Sequence, residues 1–264
     1  MNHSLKCGRL LGIDLFIHWS FWLLPIFAYL NSYLIYDRTQ ANLNLCVILA
    51  MSVCVVMHEF GHALAARSFG IETHLIKLYA FGGVAWMKSH AERPWHEFAI
   101  AAAGPLMNVG IASILAAILI ALRLPFEFEM IAEPFFAQFV VRLFWVNVAI
   151  VFLNLLPALP MDGGRMLLAF LSTQMSRYDA TKWAILSGII VAVLLGIAGV
   201  VVFEQPMIVL IAIMLIVFTR KELAFARQRH YEQMYETVPI VRVTPIENAS
   251  PIPDSVDTMG NSGR

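Results

Sequence analysis

The sequence predicts an all-α polytopic membrane protein, with six transmembrane helices and a small membrane-associated β hairpin or sheet between the second and the third. Two observations predict this class. The chain is 59% hydrophobic and only 14% charged, with a mean hydropathy of +0.73, outside the range of water-soluble domains. Its apolar residues also gather into runs long enough to cross about 30 Å of hydrocarbon. Nearly the whole chain is used up this way, so no sizeable soluble domain fits.

The spans are read at residues 16–36, 43–69, 98–122, 136–156, 183–203 and 207–219, the last being short. Lys6 and Arg9 precede the first run as they would in a signal peptide. The run continues through Trp and Tyr with no small-residue cleavage site, so the segment is expected to be retained. Residues 71–87 are too polar to span and mix β-branched and aromatic residues with Gly82 and Gly83, the pattern of a strand pair. Residues 1–229 thus read as the membrane domain. Residues 230–264, with Pro239, Pro245, Pro251 and Pro253 among Ser, Asn and Gly, read as a largely disordered tail.

Most loop cations fall on one side: Lys6 and Arg9; Arg67, Lys77, Lys88 and Arg93; Arg165, Arg177 and Lys182; and the group following residue 219. Arg38 and Arg123 fall on the other. The positive-inside rule then places both termini in the cytoplasm. The formal net charge is zero and no basic stripe with interleaved aromatics occurs, so nucleic acid is not expected as a partner. Arg142 lies inside the fourth span; it is expected to reach for the interface or to pair with Glu127, Glu129 or Glu133. The three cysteines, Cys7, Cys46 and Cys54, form no disulfide framework. Cys54 is read as a packing residue one turn before His58.

Chemistry concentrates in His58-Glu59-Phe60-Gly61-His62. Histidines four apart share one helix face, about 5.4 Å apart, so both rings can reach one zinc ion while Glu59 stays free to move protons. These polar groups lie in a run that otherwise reads as membrane-spanning, where a charged side chain costs about 2.5–3.5 kcal/mol on insertion scales. They need a partner or a metal. A hydrolytic zinc site takes three protein ligands, and Asp162, following Pro157 and Pro160 at the same membrane side, is the best candidate for the third. The prolines break the helix and Gly163 and Gly164 let the chain turn back into the bundle. A plain helix N-cap is the competing reading of Asp162. The other histidines are read as interfacial (His18), solvated or gating (His74, His90, His96) or terminal (His3, His230).

Together these blocks resemble the site-2 protease family of intramembrane zinc metalloproteases, over about residues 11–219. Residues 11–20, Leu-Gly-Ile-Asp-Leu-Phe-Ile-His-Trp-Ser, look like the family's lead into its first span, and His58 to His62 like its zinc helix. Phe81-Gly82-Gly83-Val84-Ala85 is similar to its Gly-Gly strand, and Gly104-Pro105-Leu106-Met107-Asn108 to its Gly-Pro-x-x-Asn span. Asn154 to Gly163 is similar to its Asn-x-x-Pro and Asp-Gly block, with Leu159 and Met161 in place of a common proline and leucine. The resemblance implies a protease that uses one Zn2+ per chain to hydrolyse peptide bonds in or near transmembrane segments; the PDZ or CBS domains of many members are not expected, because neither fits in the loops or the short tail.

His58, His62 and Asp162 would ligate the metal and Glu59 would be the general base. Asn154 could donate to the oxyanion or to substrate backbone; Asn108 is a weaker candidate, for which an interhelical hydrogen bond is an equal reading. Gly82 and Gly83 would offer a strand edge to an unwound substrate, against the blander reading of a glycine turn. The implied partners are single-span regulators or signal-peptide remnants and the lipid bilayer, in a cell membrane, with a prokaryotic one favoured. The alternatives are a catalytically inactive membrane adaptor and a metal or ion transporter using the His/Asp cluster. Transporters spread polar residues along a path and repeat their halves, whereas the polar groups here gather at one depth.

Overall fold

The computed structural model describes residues 4–80, 82–87, 91, 93–127, 134–201, 204, 208–220, 224 and 228. The chain runs β1 (Ser4–Leu10), β2 (Ile13–His18), α1 (Leu23–Ile35), α2 (Arg38–Ser68), β3 (Thr73–Tyr79), β4 (Gly82–Met87), α3 (Pro94–Ala121), α4 (Phe135–Leu155), α5 (Asp162–Leu171) and α6 (Arg177–Val201). A further apolar helix, α7, covers Ile208–Arg220. The molecule is mostly helical. Among the described residues α2, α3, α4 and α6 are long and apolar enough to cross a membrane, while Trp19–Ile35 and α7 are shorter apolar helices.

Local chemistry sets the ends of α2. The Asp37 carboxylate accepts from the Gln40 amide at 2.7 Å, satisfying one of the free amides of the first turn. At the other end Gly70 takes φ +78°, and the amides of Gly70 and Ile71 donate to the carbonyls of Arg67 and Ala66. This left-handed glycine stop lets the chain leave for β3. Pro94 opens α3, where its missing N–H costs nothing. Pro157 follows the end of α4, and the turn through Pro160 leads into the short helix α5.

The sheet is larger than the sequence suggests. The hairpin read at 71–87 is present as β3 and β4, but it belongs to a four-stranded sheet in the order β1-β2-β3-β4. β1 and β2 form a second, N-terminal hairpin, and β2 runs parallel to β3, with Asp14 opposite Leu75 and Ile17 opposite Leu78. Phe16, Ile17 and His18, which hydropathy assigns to the first span, are therefore strand residues, and the first helix begins after a 3-10 turn at Trp19–Trp22. A run of β-branched and aromatic residues suits a strand as well as a span. Its partner β3 lies far along the chain, so no local signal decides between them. The sheet packs on α2 through Ile13, Phe60, Ala63 and Ile76.

Polar contacts tie the helices together at both ends. Lipid is as apolar as the helices, so hydrophobic burial does little to pair them, and hydrogen bonds and close packing take over. At one end Arg142 donates to Asn44 Oδ1 at 2.6 Å and to Gln40 Oε1 at 2.9 Å, and Asn44 donates to Ser32 Oγ at 2.7 Å. Arg142 is thus held by neutral amides of α2, while Glu129 and Glu133 lie outside the described residues. At the other end Arg177 of α6 grips Glu97 of α3 in a two-pronged pair at 2.8 and 3.1 Å. Glu97 is 9% exposed. Replacing Glu97 with Gln removes the charge from this pair, and with Arg177 half in solvent the expected loss is about 1–2 kcal/mol. A thermal scan in detergent checks this; an unchanged midpoint would mean that the pair contributes nothing.

Candidate metal centre

His58 and His62 lie one turn apart on the buried face of α2, and Asp162 opens α5. The fold brings the three together. The Asp162 Oδ2 atom is 3.1 Å from His58 Nε2 and 3.3 Å from His62 Nε2, and the two Nε2 atoms are 3.1 Å apart. All three residues are buried, and among the described residues they form the one His/Cys/Asp/Glu group with atoms close enough to hold a metal ion. Cys54 lies outside it.

The donor chemistry fits a cation. His58 Nδ1 is 2.7 Å from Asn108 Oδ1, and His62 Nδ1 is 2.7 Å from the Ile100 carbonyl. Both oxygens only accept, so both Nδ1 atoms carry the proton and both Nε2 atoms present lone pairs. Two lone pairs and a carboxylate oxygen then converge with no hydrogen between them, an arrangement that a metal ion resolves. Two imidazoles and one carboxylate leave a position open, as hydrolytic zinc sites do. Arg165 Nη1 stands 4.0 Å from the other oxygen of Asp162.

Gly104 of α3 makes the room. A Cβ there would clash with ring atoms of His62 and lie 2.7 Å from His58 Nε2. Gly83 does the same for Glu59: a Cβ at position 83 would stand 2.8 Å from Glu59 Cγ. Glu59 therefore sits between the histidines and β4, the outer strand of the sheet, and the Ala85 amide faces its carboxylate. Gly82 closes the β3–β4 hairpin at φ +140°, a conformation suited to glycine.

The remaining sequence candidates fall differently. Asn108 has no exposed surface. Its amide is engaged by His58 and by Asn147 Oδ1 at 2.8 Å, behind the histidine ring. Asn154, in the last turn of α4, donates to the Ile150 carbonyl of its own helix at 2.9 Å. Phe81 and His90 lie outside the described residues. His18 meets Ser20, Trp19 and Tyr79, and His96 stacks on Phe69 at 4.1 Å. Sequence reading misses Gly104 and Asn147 as parts of the centre. Asn147 carries the signal that reveals the α2 motif, a polar side chain in the apolar stretch between Arg142 and Asn154.

The sequence profile of peptidase family M50 matches residues 46–133 and 125–197. The chain belongs to this family. Among similar proteins, a putative zinc metalloprotease of Synechocystis sp. is 31% identical over 63% of this chain and 44% of its own length. A zinc metalloprotease of Methanocaldococcus jannaschii is 28% identical over 83% and 59%, and stage IV sporulation protein FB of Bacillus subtilis is 30% identical over 70% and 60%. The chain thus spans between 44% and 60% of these relatives' lengths. The solved structure of a site-2 protease from M. jannaschii superposes with a TM-score of 0.60 at 27% identity, covering 83% of this chain and 95% of that one.

Replacing Gly104 with Ala should remove most bound metal while leaving the bundle folded, because the added methyl occupies the space between the rings. Metal stoichiometry of the purified variant measures this, and full occupancy would show that the rings have room to shift.

Proposed function

We propose that this chain is an intramembrane zinc metalloprotease that hydrolyses peptide bonds in or near transmembrane segments. The convergence of His58 Nε2, His62 Nε2 and Asp162 Oδ2 beside Glu59 carries the reading. Membership of peptidase family M50 and the zinc metalloprotease names of its relatives support it.

One zinc ion held by these three residues would polarise the scissile carbonyl and acidify a water molecule. Glu59 takes the proton of the attacking water and returns it to the leaving amine, so its carboxylate ends as it began. Asn154 is the candidate donor to the oxyanion: one of its amide hydrogens is used by Ile150 and the other meets no acceptor among the described residues. Gly82 and Gly83 belong to β4, at the edge of the sheet, where an unwound substrate can add as a further strand. The absence of a side chain at Gly83 brings that edge up against Glu59.

The six-span arrangement, residues 1–229 as one membrane domain with 230–264 as a tail, and cytoplasmic termini in a prokaryotic cell membrane belong to the same proposal. β2 and β3 are parallel neighbours joined through α1 and α2, which favours an outward and a return crossing between them. The segment Trp19–Ile35 is roughly 26 Å long at about 1.5 Å per residue, close to the hydrocarbon thickness. α7 packs back along α6, with Gly199 near Ile208 and Gly188 near Thr219. The expected substrates are single-span membrane proteins or signal-peptide remnants.

Glu59→Gln should keep one zinc per chain and lose about 10²–10⁴-fold in cleavage of a single-span reporter, whereas His58→Ala should lose both. Zinc analysis and cleavage on the same preparations decide the matter: turnover by metal-replete Glu59→Gln would refute the mechanism, and zinc without cleavage by the wild type would favour the adaptor. Gly83→Val should bind zinc normally and cleave poorly, since the new side chain crowds both Glu59 and the strand edge; unchanged cleavage would remove β4 from the site.

A further inference from the structure

The support behind His58 does not stop at Asn108. Asn108 Nδ2 donates to Asn147 Oδ1 at 2.8 Å, and Asn147 Nδ2 donates to the Leu143 carbonyl at 2.8 Å and to Cys54 Sγ at 3.4 Å. Neither asparagine has any exposed surface. The chain of bonds therefore runs from α2 through α3 to α4 and back to α2.

Its direction is fixed at one end. An amide side chain can present either its oxygen or its nitrogen, and only its neighbours decide which. The Leu143 carbonyl can only accept, so Asn147 must turn Nδ2 toward it and Oδ1 toward α3. Asn108 must then offer its NH2 to Asn147, which leaves its oxygen for His58. That oxygen can only accept, so His58 Nδ1 carries the proton and Nε2 keeps its lone pair.

From this sequence of constraints we infer that Asn147 is a positioning residue for the metal centre: it sets the amide orientation of Asn108 and through it the tautomer of His58. Without an acceptor at position 147, Asn108 can turn over and offer its NH2 to Nδ1. The ring proton then moves to Nε2, where it blocks ligation. The inference rests on the metal-binding reading of His58, His62 and Asp162. Partners of this kind typically contribute 10–100-fold to metal affinity.

The test compares Asn147→Leu, which removes the acceptor, with Asn147→Asp, which keeps an acceptor oxygen and nearly the same shape. Zinc affinity is measured by chelator competition beside wild type and His58→Ala. Asn147→Leu should bind zinc about tenfold more weakly and Asn147→Asp within about threefold of wild type. The double variant Asn108→Leu/Asn147→Leu should be no weaker than Asn108→Leu, because the two act in series. If Leu disturbs packing, Asn147→Ala, which adds no bulk, is read in the same way. Equal affinities for the Leu and Asp variants, or losses that multiply in the double variant, would overturn the inference. The 15N shifts of His58 in metal-free protein give a second readout: one Nδ1–H tautomer in wild type, a mixture in Asn147→Leu. A wild type that binds no zinc would overturn the metal reading, and the tautomer measurement would still decide the role of Asn147.

Discussion

Three hydrogen-bond acceptors meeting inside an apolar bundle are the constraint on which the rest of this structure depends. Two imidazole lone pairs and a carboxylate oxygen, each about 3 Å from the others, repel one another and have been taken out of water. Such a cluster persists only if something positive joins it and if each ring is held from behind. The helix packing serves both needs. α3 lacks a side chain at Gly104, so it lies against the rings without filling the space between them, and it supplies the Ile100 carbonyl and the Asn108 amide to their far sides. α5 begins at Asp162, so its carboxylate enters the bundle at the depth of the histidines.

Legibility in the sequence follows from the same physics. His58, Glu59, His62 and Asp162 could be read because polar residues in a membrane-length run demand an explanation, and the β3–β4 hairpin because its glycines and β-branched residues are local. The N-terminal hairpin could not be. Its parallel partner β3 follows two intervening helices, and hydropathy scores Phe16 and Ile17 alike in a strand or a span. For Asn108 an interhelical hydrogen bond is one of two readings, and such bonds are present; that one partner would be a histidine ring was not legible, since that depends on helix rotation. Gly104 was visible only as part of a motif, because a close approach between helices leaves no mark on either sequence alone.

The polar contacts away from the centre divide the molecule mechanically. Arg142, Gln40, Asn44 and Ser32 bind α1, α2 and α4 at the end far from the histidines, while Glu97 and Arg177 bind the start of α3 to the start of α6. α3 is thus anchored both to the helix that carries the ligands and to α6, a helix with a largely exposed apolar surface. Movement of α6 against the bundle is opposed near Glu97, less than one turn from Ile100.

On the proposed function, the outer strand of the sheet would also act as a ruler. A strand repeats every second residue, about 6.8 Å along its length, and β4 lies against Glu59 at the fixed point Gly83. A peptide added to that edge can slip only in pairs of residues if it is to keep the same face toward the sheet. The bond presented to the centre is then chosen by phase and by how far the chain has unwound, and side-chain identity enters chiefly through what helps a helix to open. Selection of that kind would suit the proposed protease, whose expected substrates share a membrane rather than a sequence.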